Sequence, residues 1–146
     1  MSRLIKFARL GRDERRLVIE GWTEVVAMRL ATWTLPYRKV RAIVERRGAA
    51  SAGAEVERPR SERIAWAVAA ASAYVPGGSN CLVRALATET MLRRFGYDGK
   101  LKIGVAHAPD GQLRAHAWLE SAGRPIIGDF ELDKYVTLGD ARVRNS

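Results

Sequence analysis

The spacing of apolar residues changes once along this chain, and that change limits the folds open to it. Up to Phe95 the apolar residues recur at helical spacing; from Leu101 they alternate every second residue. Helices followed by one helix and an antiparallel meander make an α+β pattern, not a parallel α/β one. A chain of 146 residues holds material for one core. The expectation is therefore a single domain over 1–146, with a helical N-terminal region over 1–75 and a core carrying the chemistry over 76–140.

Residues 13–33 are predicted to be helical, with Asp13 as cap. Leu17, Trp22, Val25, Val26, Met28, Leu30 and Trp33 cover an apolar surface too broad for one narrow stripe. Pro36 stops or kinks this helix. A second runs from Tyr37 to Arg47 with Val40, Ile43 and Val44 inward, and Gly48 through Pro59 has the composition of a linker. Ser61 is placed to cap a third helix reaching about Val75, which Pro76-Gly77-Gly78 breaks. The fourth spans Cys81 to Phe95, with Ser79 or Asn80 as N-cap and Gly96 as the stop. Strands follow over 101–106, 113–120 and 125–129, separated by turns at Ala108-Pro109-Asp110-Gly111 and Ser121-Ala122-Gly123-Arg124.

Composition excludes several classes of function. A single cysteine forbids an internal disulfide and a multi-cysteine zinc site, and two histidines leave little for a metal cage. The net charge of +9 lies mostly in residues 1–70, so an acidic partner has to be considered. No zinc finger, P-loop or ribonucleoprotein motif accompanies it, which ranks nucleic-acid binding low. The most apolar stretch, Leu17 to Leu35, carries Glu20, Glu24 and Arg29, so no membrane span is expected. No targeting segment is visible, and the expected compartment is the cytoplasm.

Three residues suggest chemistry. Cys81 falls in the first turn of a helix, where free backbone N–H groups and the helix dipole suit a thiolate nucleophile. Its own N–H is half of an oxyanion hole. His116 lies on the second strand, on the face opposite Leu113, Ala115, Ala117 and Leu119. A tight hairpin of two or four residues centred on Ala122-Gly123 sets Asp129 across from His116, with Cβ atoms about 4.5–5.5 Å apart, whereas a three-residue loop sets Gly128 or Phe130 there. A carboxylate there holds one imidazole nitrogen and leaves the other for the thiol; Glu131 and Asp133 are spare candidates. A Cys on a helix start, a His on a strand and an Asp on the next strand form the constellation of a cysteine hydrolase. The bland readings are a buried structural Cys81, an idle His116 and a turn residue at 129.

The runs Cys81-Leu-Val-Arg84, Leu92-Arg-Arg-Phe-Gly96, Ile103-Gly-Val105, His116-Ala-Trp118-Leu-Glu120, Gly123-Arg-Pro125 and Gly128-Asp129 resemble the transglutaminase-like peptidase of lasso-peptide biosynthesis, in its standalone form. The resemblance covers about residues 76–130. It implies a papain-like core, a Cys81–His116–Asp129 triad, no cofactor, and removal of the leader from a ribosomally made precursor. The implied partners are that leader, a separate small recognition protein, and a ring-closing cyclase of the asparagine-synthetase type. The upstream glutamine that serves papain-type enzymes as oxyanion donor is absent, which leaves Ser79, Asn80 or backbone alone. Arg84 either binds a substrate carboxylate or pairs structurally, with structure preferred; Trp118 either walls the site or packs the sheet. The rival functions are acyl transfer on the same triad, a non-catalytic peptide-binding module, and a nucleic-acid-binding protein.

Overall fold

The computed structural model describes residues 8–49, 59–75, 80–127 and 136–140, the last of these by backbone alone. Its elements are helices α1 (Arg12–Thr34), α2 (Tyr37–Ala49), α3 (Ser61–Ser72) and α4 (Cys81–Arg94), then strands β1 (Lys100–His107), β2 (Leu113–Ser121), β3 (Arg124–Ile127) and β4 (Val136–Asp140). The architecture is α+β, as the change of spacing predicts, with an N-terminal helical region. Among the described residues no helix is long and apolar enough to cross a membrane.

Helix α4 is the centre of the molecule. It packs against α1, α2 and α3 and against the first three strands. Every side chain from Ala85 to Leu92 is buried, including Thr88, Glu89 and Thr90. The threonine hydroxyls are satisfied within the helix, donating to the carbonyls of Arg84 (2.8 Å) and Leu86 (2.9 Å). Two local devices fix its ends. Asn80 is the N-cap and accepts the Val83 N–H at 2.9 Å. At the other end Gly96 turns left-handed at φ 85°, Tyr97 N–H reaches the Leu92 carbonyl and Gly96 N–H that of Arg93, which is a Schellman motif.

The other helix starts differ from expectation. α1 begins at Arg12 with Gly11 as N-cap, so Asp13 sits in the first turn beside Glu14 and acts there through charge. α3 is capped by Arg60 without a side-chain bond, and the Ser61 hydroxyl turns to Glu62 instead. Crossing α3, α1 carries Gly21, where an added Cβ would lie 3.3 Å from the Ala67 carbonyl oxygen. The backbones approach closely there, and Val25, Met28, Ile64, Val68, Leu86 and Met91 are buried in the core that α1, α3 and α4 share.

Two buried carboxylates bind the helices together. Glu24 of α1 accepts from Arg47 of α2 (2.8 Å to each oxygen) and from Arg94 of α4 (2.6 Å). Glu89 of α4 accepts a two-pronged bond from Arg41 of α2 (2.7 and 2.9 Å) and a third from Arg93 (2.9 Å). Burial pushes the Glu24 carboxyl upward, but the bonds and charges of Arg47 and Arg94 outweigh it and hold the group below the ordinary glutamate range.

The sheet order is β3-β2-β1-β4, antiparallel throughout. β4, unforeseen in the sequence, pairs with the outer edge of β1. The β2–β3 turn has φ 54° at Ala122 and φ 77° at Gly123, the two left-handed residues of a type I′ hairpin. Its register begins as predicted, with Ser121 opposite Arg124 and Glu120 opposite Pro125. A bulge then sets Leu119 opposite Ile127, so the simple register that faces 116 with 129 does not run past it. Residues 128–129 lie outside the described residues.

Two outcomes follow. Alanine pays a left-handed penalty at 122, so Ala122→Asn is expected to stabilise the protein by about 1 kcal/mol in urea unfolding. Glu24→Gln is expected to cost about 3 kcal/mol, the lower end for a broken buried pair because Arg47 can rehydrate. Because the Glu24 pKa is lowered on folding, its contribution is complete above the ordinary value of about 4.3 and is lost as pH falls through the folded value. Acid titration of stability will therefore be flatter below pH ~4.3 in Glu24→Gln than in the wild type.

Candidate active site

The start of α4 meets the middle of β2. Asn80 fixes where the helix begins, and Cys81 is its first residue. The Cys81 sulfur accepts the backbone N–H of Ala117 at 3.4 Å, so the thiol is held against the strand that carries His116. Ala117 and Leu119 point into the helical core. His116 stands on the opposite face yet reaches the same cleft as Cys81, because the helix end comes up to the strand itself.

The cleft has a volume of about 760 Å³. Cys81 and Arg84 of α4 and His116 of β2 form one wall; Glu62, Ala65, Trp66 and Ala69 of α3 form another. Arg124 through Ile127 of β3 close the third side. Ala65 and Ala69 stand one turn apart, so α3 lines the cleft with small side chains beside the Trp66 ring. Trp66 is braced by the Arg63 guanidinium 4.4 Å from its ring centre, and Arg63 in turn pairs with Glu14. At the rim Arg124 approaches Glu62 at 3.5 Å. The Glu62 carboxyl lies below its usual range: the bond to its own backbone N–H at the helix start is the largest influence, burial opposes it, and Ser61, Arg60 and Arg124 lower it further.

The sequence expectations are met unevenly. Cys81 and His116 come together in one cleft. Asn80 is used as a cap through its side-chain oxygen, which leaves its amide NH2 as the available donor. Trp118 does not line the cleft. It stacks behind His116 with ring centres 6.0 Å apart and an interplanar angle of 22°. Only 4% exposed, its indole N–H donates to Glu120 at 3.0 Å. Asp129, Ser79, Glu131 and Asp133 lie outside the described residues. Arg84, expected to pair structurally, lines the cleft and makes no ion pair among the described residues. The contributions of Glu62, Trp66 and Arg124 went unread, since which face of α3 meets the sheet is a tertiary fact; Trp66 among alanines was the one available signal.

If Asn80 sets the height of Cys81, Asn80→Ala will destabilise the protein by about 1 kcal/mol in chemical unfolding, and Asn80→Asp will restore most of the loss.

A family model described as the transglutaminase-like superfamily matches residues 22–139. No curated protein and no solved structure matches the chain.

Proposed function

Since the chain belongs to the transglutaminase-like superfamily, we propose that its cleft is a cysteine-hydrolase site that removes the leader from a ribosomally made lasso-peptide precursor. The observation that carries the chemistry is Cys81 at the capped start of a buried helix, sharing one cleft with His116. The runs Cys81-Leu-Val-Arg84 and His116-Ala-Trp118-Leu-Glu120 support the substrate class through their resemblance to the lasso leader peptidases.

In this scheme His116 takes the thiol proton and Cys81 attacks the carbonyl of the last leader residue. The oxyanion is received by the Cys81 backbone N–H and the Asn80 side-chain amide. The carbon–nitrogen bond breaks as His116 returns the proton to the departing core amine, leaving the leader as a thioester on Cys81. Water, losing a proton to His116, then attacks the thioester; the leader leaves as a carboxylic acid and Cys81 regains its proton. Asp129 is assigned to orient the imidazole. Trp118, pinned by Glu120, keeps the imidazole plane from turning. The small side chains of Ala65 and Ala69 beside Trp66 admit the leader backbone with a side chain laid on the indole. A separate small recognition protein delivers the leader, and a cyclase of the asparagine-synthetase type consumes the freed core amine.

The test is mass spectrometry of a cognate precursor incubated with this protein, with and without its recognition partner. One cut at the leader–core junction is expected, abolished in Cys81→Ala and slowed about 10²–10⁴-fold in His116→Ala. Cleavage that persists in Cys81→Ala overturns the scheme. Transfer of the acyl group to an added amine in preference to water assigns the cleft to acyl transfer instead.

A further inference from the structure

Helix α1 is apolar on two opposite sides. Leu17, Val25, Met28 and Ala31 face the core. On the far side Trp33 is 77% exposed, Ile19 55%, Leu30 53% and Trp22 40%. None of these lines the cleft.

Their order along the helix is regular. Arg12, Ile19, Val26 and Trp33 recur every seventh residue, and Arg15, Trp22 and Arg29 fall on the second seam position between them. Leu30 lies beside the seam. Val26 and Arg29 are half-buried, Val26 against the core, so the exposed ridge runs over Arg12, Arg15, Ile19, Trp22 and Trp33 with Leu30 beside it. The Trp22 ring is already fixed, its N–H donating to the Tyr74 carbonyl at 3.1 Å, so little freedom is lost when it is covered.

Charge selects the occupant. The seam holds three arginines and no acidic residue, and the chain carries a net +9. A second copy would set arginine seams together and join two strongly cationic molecules. A lipid surface takes a broad apolar face with cations at its borders, whereas here the arginines stand in line with the apolar side chains. We infer that the outer face of α1 docks another polypeptide through an amphipathic helix whose apolar seam is interspersed with carboxylates. The anchors are Trp33, Leu30 and Trp22, and Arg12 and Arg15 select the acidic partner.

This inference stands apart from the chemistry of the cleft and is tested without it. Two synthetic three-heptad helical peptides share a leucine seam, interspersed in one with glutamates and in the other with lysines. Calorimetric titration is expected to show binding of the glutamate peptide and not of the lysine peptide. Leu30→Glu and Trp33→Glu, both at exposed positions, should each weaken that binding at least about tenfold with the thermal melt unchanged. Arg12→Glu with Arg15→Glu should shift the preference toward the lysine peptide. Equal binding of both peptides, or of neither, overturns the inference. So does self-association in sedimentation that Trp33→Glu abolishes, or binding to phosphatidylglycerol vesicles that Leu30→Glu abolishes.

Discussion

Glu24 and Glu89 lie in the helical core, and each is met by two guanidinium groups. An unpaired charge at either place would cost several kcal/mol, so the helices are bound to the arrangement in which all four arginines arrive together. Glu24 joins α1 to α2 and α4; Glu89 joins α4 to α2. Apolar side chains alone tolerate sliding and repacking far better than a two-pronged carboxylate–arginine bond does. These bonds therefore set both the height and the rotation of α4. Its first residue is Cys81, about two turns before Glu89. The position of the thiol against β2 is thus fixed from farther along the helix, by groups that take no part in the cleft.

The cleft then follows from what surrounds the end of α4. The strand supplies an N–H to the sulfur and an imidazole beside it. Helix α3 supplies small side chains and an aromatic wall, and the short β3 closes the third side. His116, Trp118 and Glu120, alternate residues of one strand, form a row in which the indole stacks on the imidazole and donates to the carboxylate. The superfamily match over residues 22–139 takes in α2, α3, α4 and more than half of α1 as well as the strands.

How much of this could be read from the sequence depended on the range of the interaction concerned. Asn80 and Gly96 were legible as the ends of α4, because capping and the left-handed stop are decided within a few residues. The two-residue turn at Ala122-Gly123 was legible for the same reason. That Thr88, Glu89 and Thr90 are buried was not legible, because the arginines that offset the burial of Glu89's charge include Arg41, far away in sequence. The bulge beyond Glu120 and the pairing of β4 with β1 are decided by strand neighbours, and no local pattern announces them. Trp33 and Leu30 counted as ordinary apolar residues, because the sequence shows the width of an apolar surface and not which side of it the fold covers.

The account's central claim is that Cys81 becomes covalently acylated by peptide substrate with His116 as the proton carrier. The most direct measurement is intact-protein mass spectrometry after rapid acid quench of the protein with its precursor, followed by peptide mapping. The account predicts a thioester of the leader on Cys81, formed at a much lower rate in His116→Ala and absent in Cys81→Ala. Product formed with no adduct at Cys81, or with an adduct on any other residue, would contradict it.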